Sequence, residues 1–149
     1  MGTAISRSYI MSWGTPGNGA IRLEFKGAEG FRRAYDLAVA DAEIFGGLFE
    51  VDLWDVELPM DRPMMMQVLM GHPTRSRVLV HIDGVGHYAI GGLPVGDDEK
   101  LRFERPGGTY AVEPETMTMT PAQAREILAG FVLTGRASTR VIWAELSMD

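Results

Sequence analysis

Residues 120–135, TPAQAREILAGFVLTG, followed at 139–146 by TRVIWAEL, decide how the rest of the chain is read. Thr120 stands where a helix cap belongs, Pro121 suits the first helical position because its missing N–H costs nothing there, and Gln123 completes a capping box. Ala124, Ile127, Leu128, Phe131 and Val132 then recur at the spacing of one helical face, while Gln123, Arg125 and Glu126 fall elsewhere. That face has to be buried. Gly135 comes where a left-handed cap ends a helix, and Val141, Ile142 and Trp143 give the next segment strand composition. The helix is expected to dock on a sheet that contains this strand. Ile127, Leu128, Phe131, Val132, Ile142 and Trp143 would then form much of the core, at about 1.5–3 kcal/mol for each large side chain buried.

Upstream, the pattern changes to strands and turns. Residues 5–13 have strand composition, and Thr15-Pro16-Gly17-Asn18-Gly19 is a dense turn signal. Ile21, Leu23 and Phe25 alternate with Arg22, Glu24 and Lys26, which makes 20–26 a half-buried strand. Phe31, Ala34, Tyr35, Ala38, Ala42 and Phe45 fall at helical spacing, closed by Gly46-Gly47. Alternation resumes over 48–58, but its parity shifts after Leu53, which predicts a bulge or break near Leu53-Trp54. The run 64–70, lying between Pro63 and Gly71, reads as a strand by its length. Asp83-Gly84 separates 78–82 from 87–90, and Arg105-Pro106-Gly107-Gly108 separates 101–104 from 109–112, so both read as hairpins. Tight turns mean antiparallel pairing. The expected fold is α+β: a single, mostly antiparallel sheet of about six to seven strands, with two helices packed on one face.

With 149 residues and 46% apolar composition, the chain suits one domain spanning 1–149. It has no cysteine, so disulfides, a thiolate nucleophile and cysteine-held metals are excluded. No apolar run approaches about 18 residues and no leader pattern opens the chain, so no membrane span is expected and the expected compartment is the cytoplasm. The net charge of −6 argues against direct nucleic-acid binding, which needs clustered Lys and Arg. Between Arg33 and Arg62 there is no basic residue, yet Asp36, Asp41, Glu43, Glu50, Asp52, Asp55, Glu57 and Asp61 are present. Such a segment is either a solvated outer face or a surface aimed at a basic partner.

Candidate chemistry is sparse. His81, Asp83 and His87 around the hairpin turn invite a metal reading, the basis of an alternative as a small metal-dependent hydrolase. Catalytic zinc, however, needs three protein ligands on rigid elements. The Gly84-Val85-Gly86 run resembles a dinucleotide fingerprint, but Gly91-Gly92 and Pro94 forbid the helix that such a site requires. No Gly-x-Ser-x-Gly elbow is present. Asp52 with Glu57, or Asp97-Asp98-Glu99, can be drawn as acid and base, yet pKa tuning needs burial. No catalytic set and no cofactor is therefore assigned. Five of the ten methionines lie in 60–70, suited to an irregular core, an adaptable surface or a small-ligand pocket. Trp54, bracketed by Asp52, Asp55 and Glu57, has the setting of an aromatic anchor in a charged rim.

The tail resembles the C-terminal signature of the Imm1 family of bacterial immunity proteins. The residues that carry the likeness are Pro121, Ile127, Leu128, Phe131, Thr134-Gly135-Arg136, Val141 and Trp143-Ala144-Glu145-Leu146. It extends more weakly upstream through 64–110 and covers about half of the chain. The resemblance implies a non-enzymatic protein that binds a cognate toxin, often a nucleic-acid deaminase, and blocks its active site. The residues expected to meet a basic toxin groove come from the charge pattern instead: Asp52, Trp54, Asp55, Glu57, Asp97, Asp98, Glu99 and Tyr110, with Trp54 and Tyr110 as anchors.

Overall fold

Period-2 alternation in the strands and a 3.6-residue period in two helices give an α+β fold built on one sheet. The computed structural model describes residues 7–15, 19–57, 64–96, 101–105 and 108–146. In chain order the strands are β1 (Ser8–Thr15), β2 (Gly19–Lys26), β3 (Leu48–Asp55), β4 (Met64–Met70), β5 (Arg77–Ile82), β6 (Val85–Ile90), β7 (Arg102–Arg105), β8 (Gly108–Ala111) and β9 (Ile142–Glu145). Helix α1 (Gly27–Phe45) follows β2, and α2 (Pro121–Thr134) precedes β9. The main path runs β2-β1-β3-β4-β5-β6-β9 and is antiparallel at every step. Beyond the end of β1, β7 takes the same flank of β3 in parallel, through Leu48↔Phe103, and carries β8 as a hairpin. Among the described residues the sheet has nine strands, against about six to seven expected.

The helix signals translate directly into structure. Thr120 accepts from the Gln123 backbone N–H at 3.1 Å, while the Gln123 side chain accepts from the Thr120 N–H at 2.9 Å. Gly135 closes α2 with φ 70°, and Gly46 closes α1 with φ 72°. Helix α1 begins at Gly27, four residues before its apolar period, with no side-chain cap from Lys26. Both helices lie on one face of the sheet. Phe31, Ala34, Tyr35 and Ala38 of α1 and Ile127, Leu128, Phe131 and Val132 of α2 are buried against Tyr9, Met11, Val51, Leu53, Met66, Val68 and Val80. Tyr9 ties the layers together: its ring sits 6.0 Å from Phe25 and 5.6 Å from Phe131, and its hydroxyl donates to the Phe131 carbonyl at 3.1 Å.

Two expectations are corrected. β3 has no bulge, since Phe49 to Trp54 pair residue by residue with Met70 to Met65, and Val51 to Asp55 with Trp13 to Tyr9. The parity shift read from the sequence arises because the strand ends at Asp55, so the apolar Val56 belongs to the following turn and is exposed. Ile142 is not core; β9 is an edge strand of four residues on which Ile142 is 70% exposed. Trp143 packs against the core from that edge, with its indole N–H donating to the Ser138 carbonyl at 2.9 Å.

On the same side of the sheet, where β5 begins and β6 ends, the segment 117–119 crosses beside Ser76 and Gly91. Ser76 N–H donates to the Met119 carbonyl, and Gly91 N–H to the Thr118 hydroxyl at 2.8 Å. A Cβ on Gly91 would collide with the Thr118 carbonyl oxygen. Among the described residues no helix is long and apolar enough to cross a membrane.

Tyr35 gives this core a measurable signature. Burial beneath α2 pushes its hydroxyl pKa up to about 12, partly offset by Arg125, whose guanidinium lies 4.9 Å from the ring centroid. The folded chain therefore holds this proton more tightly than the unfolded chain, in which a tyrosine titrates near 10. The resulting stability is whole below about pH 10 and is lost as pH rises towards 12, by about 2–3 kcal/mol in total. Urea titrations of Tyr35→Phe should show a flatter alkaline limb than the parent; an unchanged limb would assign the ionisation to another group.

Candidate functional site

The register of β3 decides which of its residues are available to a partner. Phe49, Val51, Leu53 and Asp55 point under the helices, so Leu48, Glu50, Asp52 and Trp54 occupy the opposite, helix-free face. Pairing extends this face outward in rows. One row runs Arg22, Ser12, Asp52, Gln67, Leu79, Tyr88 and Ala144; the next runs Glu24, Ile10, Trp54, Met65, His81 and Gly86. A sheet face without a covering helix is ordinarily solvated. Here its centre is not.

Glu50, Gln67 and Arg77 are buried on this face, at 9%, 6% and 4% exposure. Arg77 Nη2 meets Glu50 Oε2 at 2.9 Å, with both side chains 5% exposed. Gln67 Nε2 donates to Glu50 Oε1 at 2.9 Å and to Asp52 Oδ1 at 2.8 Å. With its N–H groups committed to two carboxylates, the Gln67 carbonyl oxygen faces His81 Nε2 as an acceptor, which fixes the ring proton of His81 on Nε2. The β7–β8 hairpin and the turn at Pro114–Thr116 cover one end of the network, where Leu69, Phe103, Val112 and Met117 form a second small core. Arg77 stacks 5.0 Å from the Phe103 ring, and Tyr110 lies 5.6 Å from Phe103. Taking charges out of water costs several kcal/mol per ion, so this cluster holds only because each ion finds a partner in fixed geometry. Over its uncovered part stand half-buried Trp54, Met65, His81 and Tyr88, with Arg22 5.4 Å above the Trp54 ring.

The expected partner residues divide accordingly. Asp52, Trp54 and the 46%-exposed Tyr110 share the helix-free side. Asp55 does not join them: it faces the other way, is 4% exposed, and binds Arg7 Nη1 at 2.8 Å while accepting the Glu57 N–H at 2.8 Å. The hydrogen bond that Arg7 donates to Asp55, with the attraction of that carboxylate, raises the Arg7 guanidinium pKa above its ordinary value. Glu57 is exposed in the turn after β3, and Asp97, Asp98 and Glu99 lie outside the described residues. The acidic segment is thus no single patch. Asp36 pairs with Arg125 at 2.9 Å and Asp41 accepts the Trp13 indole N–H at 2.8 Å, both on the helix side. Adjacent acids in a strand leave by opposite faces, and the charge pattern alone carries no face assignment.

His81, Asp83 and His87 do not converge. Asp83 and Gly84 form a two-residue turn with φ of 52° and 81°, which pairs His81 with Gly86 and His87 with Val80, on opposite faces. Among the described residues no group of three His, Cys, Asp or Glu side chains is placed to hold a metal. Sequence reasoning missed Gln67, Arg77 and His81 as members of one network. The available signal was the single amide in the Met-Val run of β4, a polar side chain that a central strand buries only with partners. No protein-family model, curated protein or solved structure matches this chain.

The network makes a specific demand on stability. Arg77→Met would strand the Glu50 carboxylate in a buried site and should cost about 3–5 kcal/mol, whereas Glu50→Leu with Arg77→Met should recover most of that loss. Chemical denaturation of the three proteins checks this, and a single-variant cost below about 0.5 kcal/mol, typical of a surface site, would contradict the burial described.

Proposed function

We propose that this chain is an immunity protein: a cytoplasmic, stoichiometric inhibitor that binds a cognate bacterial toxin, a nucleic-acid deaminase or nuclease, and occludes its active site. The observation that carries the reading is the helix-free face, where Trp54, Met65 and Tyr88 stand beside Asp52 on a buried, hydrogen-bonded floor. Tight interfaces centre on an aromatic anchor in a desolvated pocket with a polar rim, and fixing that anchor beforehand reduces the entropy lost on binding. Trp54 fits this role with Asp52 on one side and Arg22 above. Tyr110 extends the surface along β3, held through Phe103 and Arg77. The Imm1-like tail supports the same conclusion from the sequence. Glu24 and Asp52 on this face favour a basic partner groove, and Asp97, Asp98 and Glu99 belong to the proposal from the sequence alone. Asp55 is left out of the contact, because its carboxylate serves Arg7.

Calorimetric titration against the toxin domain encoded directly upstream tests this. Trp54→Ala should weaken binding by about 30-fold or more, equivalent to about 2 kcal/mol, while Asp55→Asn lowers stability and changes affinity by less than about threefold. Undiminished binding by Trp54→Ala, or turnover of a substrate by the isolated chain, would overturn the reading.

A further inference from the structure

A second surface lies apart from that face, between α2 and the segment 136–141. Met119, Ile127, Ala137 and Val141 give this groove its apolar lining, and its volume is about 770 Å³. Its far wall is fixed by short local bonds: the Arg136 N–H to Thr134 Oγ1 at 3.1 Å, the Arg140 N–H to Ser138 Oγ at 3.1 Å, and the Trp143 indole N–H to the Ser138 carbonyl. Three features along it are not accounted for by the packing of the chain itself. Gly130 sits inside α2, where glycine is the least favourable residue after proline, yet a Cβ there would meet nothing within 4 Å. Leu133, one turn on, is 71% exposed. Arg136 and Arg140, both exposed, pair with no carboxylate among the described residues, although the chain carries −6.

We propose that this groove binds an acidic, partly apolar linear segment of a partner protein. An apolar side chain of the segment fills the notch left by Gly130, against Ile127 and Leu133, and its carboxylates meet Arg136 and Arg140. Glu126, the one acid of the lining, lies at the opposite end of the helical wall and sets the polarity: the acids of the segment run towards the C-terminal end of α2. This surface is independent of the helix-free face, so either reading stands without the other.

The probe is a blocked hexapeptide, Asp-Glu-Leu-Asp-Phe-Glu, compared with Lys-Lys-Leu-Lys-Phe-Lys and followed by NMR shift mapping on the whole chain. The acidic peptide should shift amides of 126–141, and its binding should weaken with added salt; the basic peptide should not bind. Gly130→Leu should fold at least as well as the parent, because the replacement favours helix, and should weaken the acidic peptide at least about tenfold. Arg136→Glu with Arg140→Glu should do the same. Equal binding of the two peptides, shifts centred elsewhere, or undiminished binding by folded Gly130→Leu would each overturn the proposal.

Discussion

The unbroken pairing of β3 between β1 and β4 is the constraint from which the other features follow. Because side chains alternate along a strand, a slip of one residue would move Phe49, Val51 and Leu53 into water and bring Glu50, Asp52 and Trp54 under the helices. The buried apolar residues of β1 and β4 hold the register from both sides, and α1 and α2 close over the same rows. One strand thereby sets the composition of both faces.

The helix-free face shows what that division costs and what it supplies. Glu50 and Arg77 are in a position where a hydrophobic pair would hold the sheet together nearly as well. What the ion pair adds is direction. Through Gln67 it orients Asp52 and His81, and through Phe103 it fixes the β7–β8 hairpin, so side chains from five strands take one arrangement before any partner arrives. The carboxylates of Glu50 and Asp52 are committed to neighbours within the sheet.

What the sequence disclosed depended on how local the physics was. The capping box of Thr120 and Gln123, the left-handed caps at Gly46 and Gly135, and the Asp83-Gly84 turn involve residues within a few positions of each other, and each was legible. The end of β3 was not. Trp54 and Val56 continue the apolar alternation with only Asp55 between them, and a single acid in an acid-rich strand does not announce the turn that its carboxylate closes on the Glu57 N–H. The network was illegible for a related reason: Gln67 lies 17 residues from Glu50 and 14 from His81, and only the strand register brings them together. Counting acids along the chain likewise suggested one surface, whereas Asp52 and Asp55 belong to two. The sequence thus singled out Trp54, Asp52 and Tyr110, which the register places on one face, but not Gln67 and Arg77, which hold that face together.

The crossing of 117–119 over Gly91 bears on how α2 came to be placed where it is. Two backbones touch there with no room for a methyl group, so the approach admits a single residue type. Thr120 begins the helix only two residues after Thr118. The junction thus joins the end of β6 to the start of α2, and a side chain at that point would have to displace the 117–119 backbone from which the helix begins.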